Sequence, residues 1–357
     1  MTVASPGHVA RTAPAPAAYF ADVASRWERA AVAAGGAISR DFRVGGLHLR
    51  MRFAGPALVQ RLAPAIAHLT IDGAGTPDLL LDAWDSATTG VGMADPPWIE
   101  SELRVNGEIG SFIDQGWYAH YNVWHSALTL LDGSRRRAIY WIGVADDVPD
   151  HETASPLFTL FHNWLNPSGL ALVHCAAVGL PHGAALLVGV NGAGKSNTSL
   201  ACLDSPLRHL GDDRALVGAV PEPTVFSLYS TAKSTPADIE HHPHLARLRE
   251  RVGYLQNGKA LYFLNDLFPG KPLERAPLRA LLMPRVVGGV ETTLAPANPA
   301  EGLRILAAET SLRWPRSGRH TLAILSRLFR EVPCYTLRLG TDRRRIPPVI
   351  QDLLMRG

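Results

Sequence analysis

The stretch that most constrains this chain is Gly189-Val190-Asn191-Gly192-Ala193-Gly194-Lys195-Ser196, a G-x-x-x-x-G-K-S sequence. Ala184–Val188, just before it, is wholly apolar, as a buried strand requires. Asn197 to Leu203, just after it, can continue as a helix. A strand, a glycine-rich loop and a helix in that order is the setting in which this motif cradles phosphate. The glycines accept backbone angles that other residues resist. Their N–H groups can then turn inward on an anion at the start of a helix dipole. On this reading Gly189, Asn191, Gly192, Ala193, Gly194, Lys195, Ser196 and Asn197 bind a nucleotide. Lys195 reaches the β- and γ-phosphates, and the Ser196 hydroxyl ligates Mg²⁺.

A chain of 357 residues, 46% hydrophobic and 19% charged, is long enough for two domains with sizeable cores. Its formal net charge of +3 weakly favours anionic ligands and is no nucleic-acid footprint. The three cysteines, Cys175, Cys202 and Cys334, show no C-x-x-C spacing and no disulfide framework, which fits a reducing cytoplasm. No run approaches the roughly 18 apolar residues of a membrane span, and the N-terminus lacks the pattern of a signal peptide.

Residues 1–18, rich in Ala and Pro, read as a mobile leader. Residues 19–150 read as an N-terminal α+β domain, mainly β. It begins with a helix over Tyr19–Ala34. A hairpin or bulged strand follows around Gly45-Gly46, then a helix from Pro56 to about Leu69. Strands are expected at Leu79–Trp84, Ala127–Leu131 and Arg137–Val144. Its expected role is substrate binding or assembly. Residues 151–357 read as the nucleotide-binding domain. Ala171–Val178 is expected to be one strand, turning at Pro181-His182-Gly183 into the strand that feeds the loop. Leu207–Leu210 is a short strand ending in Gly211-Asp212-Asp213, and Ala215–Val220 follows it. Strands and helices alternate from there to a last strand at Cys334–Leu339 and a last helix at Ile346–Leu354.

Phosphoryl transfer needs a held nucleotide, a metal, charge neutralisation and a group that orients or deprotonates the acceptor. Asp212 and Asp213 follow a short strand just beyond the helix that the loop opens. One suits Mg²⁺, directly or through water, and the other suits the acceptor's proton; in isolation the pair would be a solvated turn. His174, among apolar residues, is either a hydrogen-bonded core side chain or a group that polarises a phosphate. Lys233 can reach a γ-phosphate, and Lys259 is a weaker candidate. Arg275 and Arg285 are candidate transition-state cations. His241, His242 and His244 lack a second ligand cluster at metal-site spacing and read as a solvated helix start. Arg135–Arg137 and Arg343–Arg345 read as solvated turns.

With these residues in place the chain resembles the HPr kinase-like serine kinases. Within that family it is most similar to the branch that accompanies peptide natural-product pathways, lasso-peptide tailoring kinases among them. The resemblance rests on Leu172–Val178, the loop Gly189–Ser196, Gly211-Asp212-Asp213, Ser227-Leu228-Tyr229 with Ala232-Lys233, and Pro333–Gly340. It covers roughly residues 155–355 and matches the N-terminal module only loosely. It implies an α/β core of the HPr kinase/phosphoenolpyruvate carboxykinase type, with ATP and Mg²⁺ as cofactors and a serine hydroxyl as acceptor. One departure stands out. The second loop residue in HPr kinase proper is an Asp tied to the reverse, dephosphorylating reaction, and here it is Val190. An apolar side chain carries no proton, so the base role falls to Asp212 or Asp213.

The expectation is an ATP-dependent kinase acting on a serine of a peptide or small protein, a natural-product precursor peptide included. Asp212, Asp213, His174 and Lys233 are its catalytic set; Ser196, Asp212 and Asp213 are its metal set. A small-molecule acceptor such as free serine is the first alternative, and a nucleotide-binding regulatory module without phosphotransfer is the second. Neither nucleic acid nor membrane is an expected partner, and a homo-oligomer is compatible with the chain.

Overall fold

Gly45 and Gly46 take φ angles of 59° and 89°, the pair of left-handed positions that a tight hairpin turn demands. They close β1 (Ala37–Val44) onto β2 (Leu47–Ala54). The computed structural model describes residues 16–73, 75–104, 106–113, 116–311 and 318–356. The expected leader lies outside the described residues up to residue 15. Its last three residues are helical, because the first helix, Pro16–Ala33, begins on a proline. The expected helix after Pro56 is two short pieces, Ala57–Leu62 and a 3₁₀ turn Pro64–Leu69. Pro64 has no N–H to continue the first.

The fold is mixed α/β. The chain forms two compact units: one holds the described part of Met1–Ile38 with Arg52–Ala57 and Leu80–Asp147, the other Ser39–Met51, Leu58–Leu79 and Val148–Gly357. In the first unit, β3 (Leu79–Asp85) runs parallel to β6 (Arg137–Ile142). Next to β6 lie β5 (Ala127–Asp132) and β4 (Trp117–Asn122), both antiparallel. The first helix buries Tyr19, Phe20, Val23, Trp27 and Ala30, a helical stripe, against Trp98, Phe112, Leu128, Ile139 and Trp141. Behind that stripe lies a fully buried carboxylate. Asp82 accepts from Arg52 Nε at 2.7 Å and Arg137 Nε at 2.8 Å, and the Arg52 guanidinium lies 4.0 Å over the Trp27 ring. Arg137 is therefore the partner of a core carboxylate, and the expectation of a wholly solvated Arg135–Arg137 turn fails there.

The second unit is built on one path of strands, in order β10-β8-β9-β16-β12-β11-β7. These are β7 (Leu170–Val173), β8 (Ala176–Leu180), β9 (Gly183–Leu187), β10 (Arg208–Gly211), β11 (Ala215–Gly218), β12 (Thr224–Phe226) and β16 (Arg275–Val286). A separate three-stranded sheet has the order β13 (Thr231–Ser234), β15 (Ala260–Phe263), β14 (Gly253–Tyr254). Beyond β16 lie β17 (Thr293–Pro296) and β18 (Cys334–Leu339), with β18 parallel to β16. The unbroken apolar run of β9 follows from burial on both faces. Ala184, Leu186 and Val188 join a core with Leu306, Leu325, Leu328 and Phe329 of the helices Pro299–Ser311 and Gly318–Glu331. Ala185 and Leu187 join a second core with Cys202, Ile346, Ile350 and Leu354 of the helices Lys195–Cys202 and Ile346–Arg356. The three cysteines are buried and free. No helix among the described residues is long and apolar enough to cross a membrane.

The single strand expected over Ala171–Val178 is two strands. β7 pairs with β11 (Val173 opposite Ala215) and β8 pairs with β10 (Ala177 opposite Gly211), both antiparallel. Between them the ladder is interrupted, at His174-Cys175 on one strand and Asp212-Asp213-Arg214 on the other. Asp213 takes a left-handed φ of 67°, which lets the strand bulge without a turn. The interruption places four polar side chains, those of His174, Asp212, Asp213 and Arg214, at one spot in the sheet.

Three histidines of this unit are held neutral by burial. His68 and His162 are lowered to about 4 and His209 to about 3. In the unfolded chain each titrates near ~6.5. Below that pH the unfolded state takes up protons that the folded state refuses, so stability falls with pH down to the folded values, by up to ~1.4 kcal/mol per unit per histidine. Urea midpoints at pH 7, 6 and 5 should drop steeply and in order. A midpoint that stays level from pH 7 to 5 contradicts this burial.

Candidate functional site

The Gly-rich loop leaves β9 and ends at Gly194, whose φ of 101° makes it the left-handed N-cap of the helix Lys195–Cys202. Thr198 N–H reaches the Gly194 carbonyl at 2.9 Å, the first bond of that helix. The N–H groups of Lys195, Ser196 and Asn197 consequently have no intrahelical acceptor. Gly192 also has a positive φ, 83°. A Cβ on Gly194 would stand 2.6 Å from Leu339 Cδ1 on top of its strained φ. Gly194→Ala should therefore cost about 1–3 kcal/mol. Paired urea melts of the variant and the parent check this, and a variant of unchanged stability would refute the contact.

Lys195 Nζ donates to the carbonyls of Gly189 at 2.7 Å and Val190 at 3.1 Å. Burial lowers its pKa, and the Cys175, Glu309, Asp212 and Asp213 side chains pull it back up. Asp212 is 3% exposed. Its Oδ2 accepts from the Lys233 backbone N–H at 3.4 Å, while Oδ1 has no hydrogen-bond partner among the described residues. Burial pushes this carboxyl above the usual range and the Asp213 charge adds to the push; the Ser196 hydroxyl works against it. Asp213 goes the other way. Burial alone would raise it, but His174, Lys233 and Arg214 together hold it well below the usual carboxylate range. Its Oδ1 lies 3.1 Å from His174 Nδ1, and its Oδ2 accepts from Lys233 Nζ at 2.9 Å.

His174 Nδ1 also lies 2.7 Å from Arg214 NH1. One nitrogen cannot accept from Arg214 and donate to Asp213 at once. The tautomer of His174 thus decides whether the guanidinium or the carboxylate holds it. Its backbone N–H donates to Thr310 Oγ1 at 3.1 Å, and Nε2 faces Glu309 Oε2 at 3.9 Å. The Arg214 guanidinium is braced 4.6 Å over the Phe158 ring.

On the far side of the loop, Asn197 Nδ2 donates to Asp238 Oδ1 at 2.9 Å. Asp238 closes a capping box with Thr235 at the start of the helix Pro236–Glu240. Asn197 Oδ1 accepts from Arg343 NH1 and lies 3.3 Å from His242 Nε2. A cavity of about 480 Å³ joins these groups, lined by His174, Asn191, Lys195, Asp213, Lys233 and Lys259 among others.

Lys195, Ser196, Asn197, Asp213, His174 and Lys233 thus share one cavity, with Asp212 buried beside it. Gly189 and Ala193 shape the loop: a Cβ on Gly189 would meet that of Ala193 at 2.8 Å. Arg275 lines a different cavity, with Arg43, His48 and Glu274, and Arg285 pairs with Glu301 at the surface. Neither belongs to this site. The expected solvated His241–His244 segment is also corrected, since His242 is buried on Asn197 and His244 Nε2 lies 3.0 Å from the Leu200 carbonyl. Arg343, expected in a solvated turn, is tied to Asn197 as well. No cluster of three or more His, Cys, Asp or Glu suited to a metal occurs among the described residues. Sequence reasoning missed Arg214, Asp238, Glu309 and Thr310. Asp238 alone had a signal, the T-x-x-D capping pattern after Lys233-Ser234. No protein-family model matches the chain, and no curated protein matches it by sequence.

Proposed function

We propose that the chain is a kinase that moves the γ-phosphoryl group of ATP onto a serine hydroxyl of a peptide or small protein, on a core of the HPr kinase/phosphoenolpyruvate carboxykinase type. The observation that carries the reading is the split Asp pair at the mouth of the Gly-rich loop. Asp212 is buried beside Ser196 with one carboxylate oxygen unpartnered. Asp213 faces the cavity and is held ionised by His174 and Lys233. A protein that only binds nucleotide needs no such pair.

The loop amides and Lys195 bind the phosphates. The Ser196 hydroxyl and Asp212 Oδ1 would hold Mg²⁺, which would supply charge neutralisation of the phosphates. Asp213 accepts the hydrogen bond of the serine hydroxyl and orients it. Its low pKa makes it a weak base while Lys233 is bonded to it. The γ-phosphate competes for Lys233, and the exchange removes a cation from Asp213 and raises its basicity. In the transfer the serine Oγ–P bond forms and the bond from the γ-phosphorus to its bridging oxygen breaks. The hydroxyl proton passes to Asp213, and ADP leaves. His174 and Arg214 hold Asp213 in place. Val190, apolar and exposed on the loop, offers no proton relay for the reverse reaction.

The direct experiment supplies γ-labelled ATP, Mg²⁺ and serine-containing peptides of graded length to the wild type and to Lys195→Ala. Label on peptide serine, lost in the variant, is the expected result. Transfer that survives the loss of Lys195 ends this mechanism, and efficient labelling of free serine moves the acceptor to the small-molecule class.

A further inference from the structure

Beside the phosphate cavity lies a second one, of about 420 Å³, that the mechanism above does not use. It runs along one face of the helix Lys195–Cys202, the face that Asn197 begins. Ala201, Asp204 and Ser205 form one wall, His242 and His244 a second, and Arg343, Pro347 and Gln351 a third. The two cavities share a partition. Asn197 lines the phosphate cavity, and its carbonyl oxygen accepts from Arg343, which lines the second cavity together with His242.

The direction of a bound triphosphate follows from the site. Lys195 and Ser196 serve the β- and γ-phosphates, and the loop and early helix amides serve the α- and β-phosphates. The γ end points to Lys233 and Asp213. The α end therefore lies at the Asn197 amide, and whatever is esterified to it continues past Asn197.

The lining of the second cavity suits a neutral ring better than another anion. Burial holds His242 near about 4 and lowers His244 as well, so both rings are uncharged at neutral pH. Arg343 NH1 lies 3.2 Å from His242 Nε2, which fits a neutral imidazole accepting there with its proton on Nδ1. Arg344 is held by Asp342 through two bonds, at 2.9 and 3.1 Å. That leaves Arg343, at the Asn197 end, as the cation beside the α-phosphate position. Flat imidazole and proline surfaces offer stacking, and Gln351, Ser205 and Asp204 offer donors and acceptors for a base edge.

We propose that this second cavity is the nucleoside subsite: the ribose and base of the triphosphate lie along the helix face between Asp204, His242, His244 and Gln351, with Arg343 at the junction. The inference rests on the kinase reading of the neighbouring loop. The test compares ATP with inorganic tripolyphosphate, both with Mg²⁺, by isothermal titration of the full chain. The wild type should bind ATP at least about tenfold more tightly than tripolyphosphate, a gain of ~1.4 kcal/mol from the nucleoside. Gln351→Trp, which fills the cavity, should weaken ATP about tenfold and leave tripolyphosphate unchanged. His242→Ala should do the same to a smaller degree, and Lys195→Ala should lose both ligands.

Equal binding of ATP and tripolyphosphate by the wild type overturns the subsite while leaving the phosphate loop intact. So does ATP binding by Gln351→Trp at wild-type strength, or an equal loss of both ligands in a Gln351→Trp protein whose circular dichroism is native. Failure of the wild type to bind either ligand removes the kinase reading itself, and the subsite with it.

Discussion

On the proposed kinase mechanism, Asp212→Asn should bind ATP about as well as the wild type and transfer phosphate roughly a thousandfold more slowly, a loss of ~4 kcal/mol of transition-state stabilisation. The substitution is close to isosteric and leaves an acceptor oxygen for the Lys233 N–H. It removes a charge that the folded protein already holds at a cost, because burial pushes the Asp212 carboxyl up and the Asp213 charge adds to it. The variant should therefore be at least as stable as the parent, which separates chemistry from folding. Asp213→Asn should behave differently. It takes away the carboxylate that anchors Lys233 and His174, so it should lose activity and shift the pH–rate profile of what remains. Single-turnover rates with pre-bound ATP measure both. Full turnover in both variants would remove the Asp pair from the mechanism.

The second large effect lies in the first unit. Asp82→Ala should cost about 3–5 kcal/mol, the range for breaking a buried ion pair from one side. Asp82 is fully buried, and its two oxygens each take one arginine. Without it, Arg52, stacked on Trp27, and Arg137 face each other with only the exposed Glu28 carboxylate, 3.6 Å from Arg137 NH2, as countercharge. The readout is favourable, since six of the eight tryptophans, Trp27, Trp84, Trp98, Trp117, Trp124 and Trp141, lie in this unit. A urea titration followed by tryptophan fluorescence should show its midpoint fall sharply. Replacing Arg52 and Arg137 along with Asp82 by apolar residues of similar size should recover much of the loss. If Asp82→Ala alone melts within about 1 kcal/mol of the parent, the pair is solvated in practice.

The local signals were the legible ones. The apolar run Ala184–Val188, the glycines of the loop and the Gly45-Gly46 turn each fix a conformation by residue type, and each appears where the pattern put it. Asp212 and Asp213 were also legible as a pair, but only because the Gly-rich loop lies just before them; two acids at a strand end, taken alone, read as a solvated turn. What stayed hidden depends on partners distant in sequence. Ala171–Val178 reads as one strand because every residue in it except His174 is apolar or nearly so. Its break comes from the bulge at Asp213 on the strand opposite, about 40 positions away. Arg214 and Glu309 look like ordinary surface charges until the sheet brings them to His174. His242 and Arg343 carry ordinary surface composition as well, and only the helix between them, through Asn197, gives them a use. Arg137 reads as one of three basic turn residues, and only the parallel pairing of β3 with β6 aims it at Asp82.

The separateness of the small sheet that carries Lys233 bears on how the site opens and closes. Lys233 stands on β13, an edge strand of three, and Lys259 leads into β15, whose other neighbour β14 is only two residues long. The Gly-rich loop stands on the large sheet. Amide hydrogens of the two sheets should exchange through different openings, those of β13 and β15 at far lower free energy than those of β9 and β16. A ligand that ties Lys195 to Lys233 joins the two, so the slowing of exchange on binding should be concentrated in the small sheet, which stiffens against a scaffold that was rigid already.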